Sequence, residues 1–286
     1  MKIYILKVPS KLQPAKKITK YPKHNKDYGV EQDFLKYLTK HQKLITDDPS
    51  KAKWHYLPIY WTRWHVNHNY GNNGTEELQK IVNNTIIESK KTFTICQYDD
   101  GPVVNLYSTK LFLASRKSYH GIDIPLLCSE HKIPFIIPKK RYLASFMGRI
   151  STHVCRKSMY DLLCDDPKYR VYDGDFETNK FTKEIISSYV ALCPRGYGGS
   201  SFRFYEAMQL GVVPLHIGDL DVRPFKKWIN WGKCSIYVKD ANQIKKTLDT
   251  YDQIRLLEMG RQAKIIYHSE IKYGKLGKYI IKVLNE

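Results

Sequence analysis

The stretch VALCPRGYGGSSFRFYEAMQLGVVPLHIGD, residues 190–219, decides the fold of this chain. Two apolar runs, 190–194 and 212–218, flank a glycine-rich loop and a helix predicted to open at Ser200 or Ser201. Strand, loop, helix and strand in that order aim backbone N–H groups and a helix N-terminus at one spot, which suits an anion. Gly196, Gly198 and Gly199 are expected to let the backbone approach a ligand closely and to take up φ > 0. Arg195 and Arg203 add permanent positive charge in a fork that matches phosphate, and Arg203 and Glu206, three residues apart, share a helix face. A carboxylate five residues past the helix start lies about 7–8 Å along the axis, roughly the reach from a diphosphate to the ribose of the same nucleotide. The segment reads as a nucleoside diphosphate site made of Arg195, Gly196, Tyr197, Gly198, Ser200, Ser201, Arg203 and Glu206.

The same residues, CPRGYGGSSFRFYEAMQLGVVPLHIGD, resemble the exostosin-like glycosyltransferases, the family 47 type. The resemblance continues through Asp221-Val222-Arg223-Pro224-Phe225 and Ile229-Asn230-Trp231, where that family has an Asp, a Leu-Pro-Phe and an Asp-Trp. Upstream it takes in Tyr28-Gly29-Val30-Glu31 with Phe34, Asp48-Pro49 and Ala52 leading into Tyr56-Leu57-Pro58-Ile59-Tyr60, and Gly121-Ile122-Asp123-Ile124-Pro125. It therefore covers most of residues 28–240. The fold it implies is α/β of the GT-B type, two facing Rossmann-like domains with the active site in the cleft between them. It also implies an inverting transfer from a UDP-sugar, with xylose or glucuronic acid favoured, to a glycan hydroxyl, giving a β-glycosidic bond.

Composition agrees with a folded chain of two domains. There are 286 residues, 42 per cent of them hydrophobic, with 22 Tyr and 10 Phe, enough for two separate cores. Strand-like and helical patterns alternate: KIYILKV, EQDFLKYL, WHYLPIYW, TEELQKIVNNTIIESK and FTICQY in the first half, then YLASFMG, RKSMYDLL, YVALCP, VVPLHIG and CSIYVKD. Such alternation predicts parallel sheets. A break at Ile137-Pro138-Lys139-Lys140-Arg141 places the acceptor-side domain at 1–138 and the nucleotide-sugar domain at 139–260. Residues 261–286 are expected to form a final helix crossing back onto the first domain.

The net charge of +19 calls for acidic partners. The lysines are spread along the chain rather than gathered on one helix with interleaved aromatics, so nucleic acid is not expected. A nucleotide sugar, an oligosaccharide or glycoprotein glycan, and peripheral contact with an acidic membrane are the expected partners. The six cysteines are scattered without a metal-ligand spacing, which argues for a reducing compartment and against zinc. The amino-terminal MKIYILKV reads as a strand rather than a signal peptide or anchor. A cytoplasmic enzyme of bacterial or viral origin is the expectation.

Sugar transfer needs stabilised charge on the leaving diphosphate and a base for the attacking hydroxyl. Arg195, Arg203 and the helix N-terminus can supply the first without a metal or other cofactor. Arg149, in Gly148-Arg149 after the first strand of the second domain, is expected to join them. Asp173-Gly174-Asp175 and Asp219-Leu220-Asp221 imitate paired-Asp metal motifs but fall in a polar turn and inside the resembled segment. For the base there are two candidate groups at strand ends of the first domain: Asp99 and Asp100, which follow FTICQY, and His65 with His68, in the aromatic segment after WHYLPIY. Two rivals stand beside the transferase: a glycan-binding protein without turnover, expected to have lost the Arg195, Arg203 and Glu206 set, and a basic nucleic-acid binder.

Overall fold

A computed structural model of the chain describes residues 1–13 and 29–286, and places the start of the Tyr28-to-Glu31 segment, Tyr28, outside the described residues. The chain divides into two compact α/β units, Met1–Leu127 with Tyr273–Glu286 and Cys128–Lys272.

The first unit holds β1 (Ile3–Ile5), β2 (Trp54–Tyr56), β3 (Thr92–Cys96), β4 (Lys110–Leu113) and β5 (Ile122–Asp123), all parallel and side by side in that order. Ile45 forms a further parallel bridge with Ile3 on the outer side of β1. After β1 the chain therefore goes outward through helix α1 (Gly29–Lys40), touches β1 at Ile45, and returns to β2 on the opposite side. That reversal, marked by the single Ile45 bridge outside β1, is where a doubly wound sheet has its switch point.

The helices pack accordingly. On one face Phe34 of α1 meets Tyr56 and Phe93 edge-on, with ring centroids 5.2 and 5.8 Å apart. On the other, helices α2 (Trp61–Asn67) and α3 (Thr75–Thr85) bury Trp61, Trp64, Leu78 and Val82 against Leu57 and Cys96.

The second unit holds β6 (Tyr142–Met147), β7 (Tyr169–Tyr172), β8 (Ser188–Pro194), β9 (Val213–Ile217) and β10 (Ile236–Val238), again all parallel. Their spatial order is β10-β9-β8-β6-β7, the same doubly wound pattern with its switch between β6 and β8. The two central strands are apolar on both faces, as a covered parallel sheet requires. Val190, Leu192, Val213, Leu215 and Ile217 pack against Met159 and Leu163 of helix α4 (Val154–Leu163) and against Leu256 and Met259 further on. Helices α5 (Thr178–Ile186) and α6 (Phe202–Gln209) precede and follow β8. Two Rossmann-like units in one chain is the α/β layout expected of a GT-B-type protein.

The sequence places the domain break at 138/139, whereas the compact units part at Leu127/Cys128. The reason is local: the backbone N–H of His131 donates to Gln209 Oε1 of α6 at 3.1 Å, so residues from Cys128 onward travel with the second unit. Residues after 241 form three helices. They are α7 (Gln243–Leu248), α8 (Gln253–Ile266), which runs on into a π turn at Tyr267–Ile271, and α9 (Gly277–Asn285). Tyr273–Glu286 belong to the first unit. There α9 lies so close to α1 that a Cβ on Gly277 would fall 2.4 Å from the Tyr37 ring, and Trp54 Nε1 donates to the Leu284 carbonyl at 2.7 Å. Among the described residues no helix is long and apolar enough to cross a membrane.

Candidate active site

In the second unit the switch point lies between the carboxyl ends of β6 and β8, and the chain leaves these strands through Gly148-Arg149 and the glycine-rich loop. Helix α6 starts at Phe202, with Ser201 as its extended N-cap and no side-chain cap bond, one or two residues later than the sequence suggests. The Phe204 N–H donates to the Ser201 carbonyl at 3.1 Å. Ser200 and Ser201 are nearly buried, and Tyr197 stands out from the loop at 66 per cent exposure.

The expected positive φ of Gly196, Gly198 and Gly199 is not found; positive φ occurs instead at Gly148 and Gly211. Close approach is what calls for glycine here. A Cβ on Gly196 would meet Arg156 Nη2 at 3.0 Å, and one on Gly148 would meet Arg203 Nη2 at 2.5 Å.

Arg203 is buried in α6, stacked over the Phe146 ring at 4.4 Å, with its Nη2 donating to the Met147 carbonyl that ends β6. Burial pulls its pKa below the ordinary guanidinium value, and Glu206 on the same helix face opposes that shift. Arg195 follows β8, donates from its backbone to Ile217 O at 2.9 Å, and pairs through Nη1 with Asp219. The Nε–H groups of both Arg195 and Arg203 are buried without an acceptor. Uncompensated buried donors are rare in native proteins and point to a ligand that supplies the acceptor.

Glu206 is buried, its Oε1 2.9 Å from His131 Nε2. Cys128, His131 and Glu206 bring metal-capable atoms within 4.8 Å of one another, a proximity that the scattered cysteine spacing conceals. Each already has a protein partner: His131 and Glu206 each other, and the Cys128 sulfur the Gln209 amide at 3.8 Å. Burial pushes the Cys128 thiol well above its ordinary pKa.

Arg149 points elsewhere than expected. It is 63 per cent exposed and forks onto Asp175, while Asp173 accepts from the Ile150 N–H at 2.8 Å. Arg156 takes the inner place. Its Nη1 donates to the Arg149 carbonyl and its Nε to the Arg195 carbonyl, both at 3.0 Å, so it ties the two strand ends across the switch. A helix-borne arginine soon after a strand-ending Gly-Arg is the sequence signal for it. Asp221 is held by Arg223 and Lys226 and its pKa falls to about 2 despite partial burial.

In the first unit the structure brings His65 against the Asp99-Asp100 turn, while His68 stacks on Trp64 with ring centroids 4.5 Å apart. His65, fully buried in α2, stacks on Tyr98 at 3.9 Å, and its Nε2 lies 2.9 Å from the Gly101 carbonyl, next in sequence to Asp99 and Asp100. Burial lowers the His65 pKa. Asp100 is exposed and paired with Lys117; Asp99 is half-buried. Glu31 is a buried carboxylate next to this cluster whose role sequence reasoning misses. It is fully buried at the start of α1 and accepts from Gln97 N at 2.8 Å, Thr62 N at 3.2 Å and Thr62 Oγ1 at 3.0 Å, which ties the start of α1 to the start of α2 and to the chain that leaves β3.

The segment that builds this site recurs in known proteins. Residues 115–251 match the Exostosin GT47 domain, so this segment is similar to the exostosin-like glycosyltransferases. The Exostosin-1 homolog of Caenorhabditis elegans is 23% identical over 178 residues, 54% of this chain and 47% of the relative. A probable glucuronoxylan glucuronosyltransferase of Arabidopsis thaliana is 28% identical over 113 residues, 36% of this chain and 24% of the relative. The chain thus spans less than half the length of these relatives. Among solved structures, AviGT4, a glycosyltransferase involved in avilamycin A biosynthesis, is 9% identical, with a TM-score of 0.42 over 99% of this chain and 97% of its own.

Proposed function

We propose that the chain is a glycosyltransferase that takes a sugar from a nucleoside diphosphate, UDP foremost, and passes it to a glycan hydroxyl. The observation that carries this reading is the pair of buried, acceptor-less guanidinium N–H groups, Arg195 Nε and Arg203 Nε, at the switch point beside the N-terminus of α6. A diphosphate supplies the missing acceptors and the negative charge that this end of a helix favours. Arg195 and Arg203, fixed before the reaction by Asp219, Phe146 and the Met147 carbonyl, hold the charge that grows on the leaving diphosphate. Glu206 accepts from the ribose hydroxyls, and the exposed Tyr197 ring offers a face to the base. Arg149 serves as an outer contact at most, because Asp175 already occupies its fork.

Asp99 removes the proton from the acceptor, its loop braced by His65 through the Gly101 carbonyl. Single displacement turns an α-linked donor into a β-linked product. Xylose and glucuronic acid are the leading sugars; the name of the Arabidopsis relative lends weight to the second. The reaction proceeds without a metal: Asp173, Asp175, Asp219 and Asp221 are committed to backbone or arginine partners, which supports that view.

The test is a panel of nucleotide sugars read by released nucleoside diphosphate, with proton NMR of the product. UDP release from UDP-xylose or UDP-glucuronic acid that persists in EDTA, with a β anomeric signal, is the expected result. No turnover of any UDP-sugar, or an α signal, overturns it.

A further inference from the structure

The loop between His131 and β6, HKIPFIIPKKR over 131–141, presents its apolar residues to solvent. Phe135 is 103 per cent exposed, Ile136 78, Ile137 57 and Ile133 48. Side chains of this kind in one run are unusual on a soluble surface and mark an interaction site. The loop is anchored at both ends. His131 N donates to Gln209 Oε1 at 3.1 Å, and at the other end Arg141 N donates to the Ser187 carbonyl at 2.7 Å and Lys140 Nζ to the Ser188 carbonyl at 2.6 Å. Between these anchors the backbone is neither helix nor strand, and Pro134 and Pro138 restrict it. Lys132, Lys139 and Arg141 are exposed on both sides of the apolar tip, and no acidic residue interrupts 131–141.

We propose that this loop docks the second unit onto an anionic lipid bilayer, with Phe135 and Ile136 entering the headgroup–acyl boundary and Lys132, Lys139 and Arg141 meeting the lipid phosphates. Charge complementarity selects this occupant. Cations on both sides of an apolar tip match a continuous negative plane, whereas a protein partner would need a pocket shaped for Phe135. A bilayer admits a protruding aromatic wherever it lands. Irregular backbone carries polar groups that hydrocarbon cannot satisfy, which keeps the insertion at the interface. The two prolines remove two of those N–H donors.

A protein of net charge +19 adheres to anionic vesicles through any lysine face, so the deciding variant leaves the charge alone. The experiment is flotation of the full chain with phosphatidylcholine vesicles carrying none or a third phosphatidylserine. The native protein should float with the second and far less with the first. Phe135→Ser with Ile136→Ser should lower the partition coefficient by about tenfold or more, and Lys139→Glu by roughly fivefold or more. Both variants should keep the native circular dichroism, because every altered side chain is in solvent. Phe135→Trp should gain a blue-shifted emission component only with anionic vesicles. Flotation unchanged by the double serine variant overturns the proposal. So does a lipid-free dimer by light scattering that the double variant abolishes, since a second copy would then cover the loop.

Discussion

Nε2 of His131 lies 2.9 Å from Oε1 of Glu206, and both side chains are about nineteen-twentieths buried. The carboxylate proposed to hold the ribose is therefore already aimed, by a residue anchored through its own backbone N–H to Gln209 one turn further along α6. Glu206→Ala should weaken UDP binding by about 10- to 100-fold, the range for a hydrogen bond to a charged group. Pyrophosphate binding should change little. His131→Ala should act in the same direction but less, because it frees the carboxylate without removing it. Calorimetric UDP affinity unchanged in Glu206→Ala would place the ribose elsewhere.

Arg203 serves both fold and site. Its guanidinium stacks on Phe146 and donates to Met147 O in the interior, contacts worth about 2 kcal/mol each when desolvated. Arg203→Ala should lower stability by about 2–4 kcal/mol in urea unfolding and abolish measurable UDP binding. Arg203→Lys should recover part of the stability and little of the binding, because an ammonium cannot make the fork and the stack together. Full UDP affinity in the lysine variant would reduce Arg203 to a packing residue.

Gly148 gives an independent test of the same contact. A Cβ there would fall 2.5 Å from Arg203 Nη2, so Gly148→Ala must displace the guanidinium from the Met147 carbonyl. Weakened UDP binding is expected in a protein whose surface is otherwise unchanged. Native affinity in Gly148→Ala would show that Arg203 binds equally well from another position.

These contacts separate what the sequence discloses from what it hides. The run 190–219 is legible because strand, loop, helix and strand follow one another, and local pattern fixes each. Arg195, Arg203 and Glu206 thus fall where periodicity puts them. His131 is not legible: it lies 75 residues from Glu206 in sequence and meets it only through the fold. The loop glycines invite a reading by φ, whereas the constraint at Gly196 is the guanidinium packed against it, a neighbour that no spacing encodes. The strands β4, β5 and β7 also go unread: β5 is only Ile122–Asp123, Lys110 opens β4, and Arg170 interrupts β7. The switch point of the first unit rests on one residue, Ile45, bridging to Ile3.

Glu31 should make stability depend on pH in an unusual direction. Burial raises its pKa from an ordinary 4.5 to about 8, against hydrogen bonds from Gln97 and Thr62 that lower it. Between those two values the folded state holds a proton that the unfolded state has released. Its contribution is therefore fully present below about 4.5 and is lost as pH rises through about 8, at up to about 1.4 kcal/mol per pH unit. Glu31→Gln, near-isosteric with the protonated acid, should lack this dependence. In urea unfolding at about pH 5, 6.5 and 8, the native protein should lose ground to the variant at each step. Parallel pH profiles would mean that Glu31 is ionised in the fold.

The proposed base can be separated from its neighbours by how each is held. Asp100 is paired with Lys117 and exposed, His65 is sealed beneath Tyr98, and Asp99 is half-buried. Proton removal by a positioned side chain contributes about 10²–10⁴-fold to rate. Asp99→Asn should depress kcat by that order while UDP binds as before, because donor contacts lie in the second unit. Asp100→Asn should cost only a few-fold, since its carboxylate is engaged with Lys117. His65→Ala should leave a cavity beside Tyr98 and release the Gly101 carbonyl, so it should raise the acceptor KM and lower the melting temperature together. A buried imidazole with a depressed pKa is neutral at about pH 7 and so could accept a proton, but its Nε2 faces the Gly101 carbonyl and the ring is sealed from solvent. Loss of kcat in His65→Ala at unchanged acceptor KM and melting temperature, with Asp99→Asn near normal, would move the base to the imidazole and leave Asp99-Asp100 as a turn.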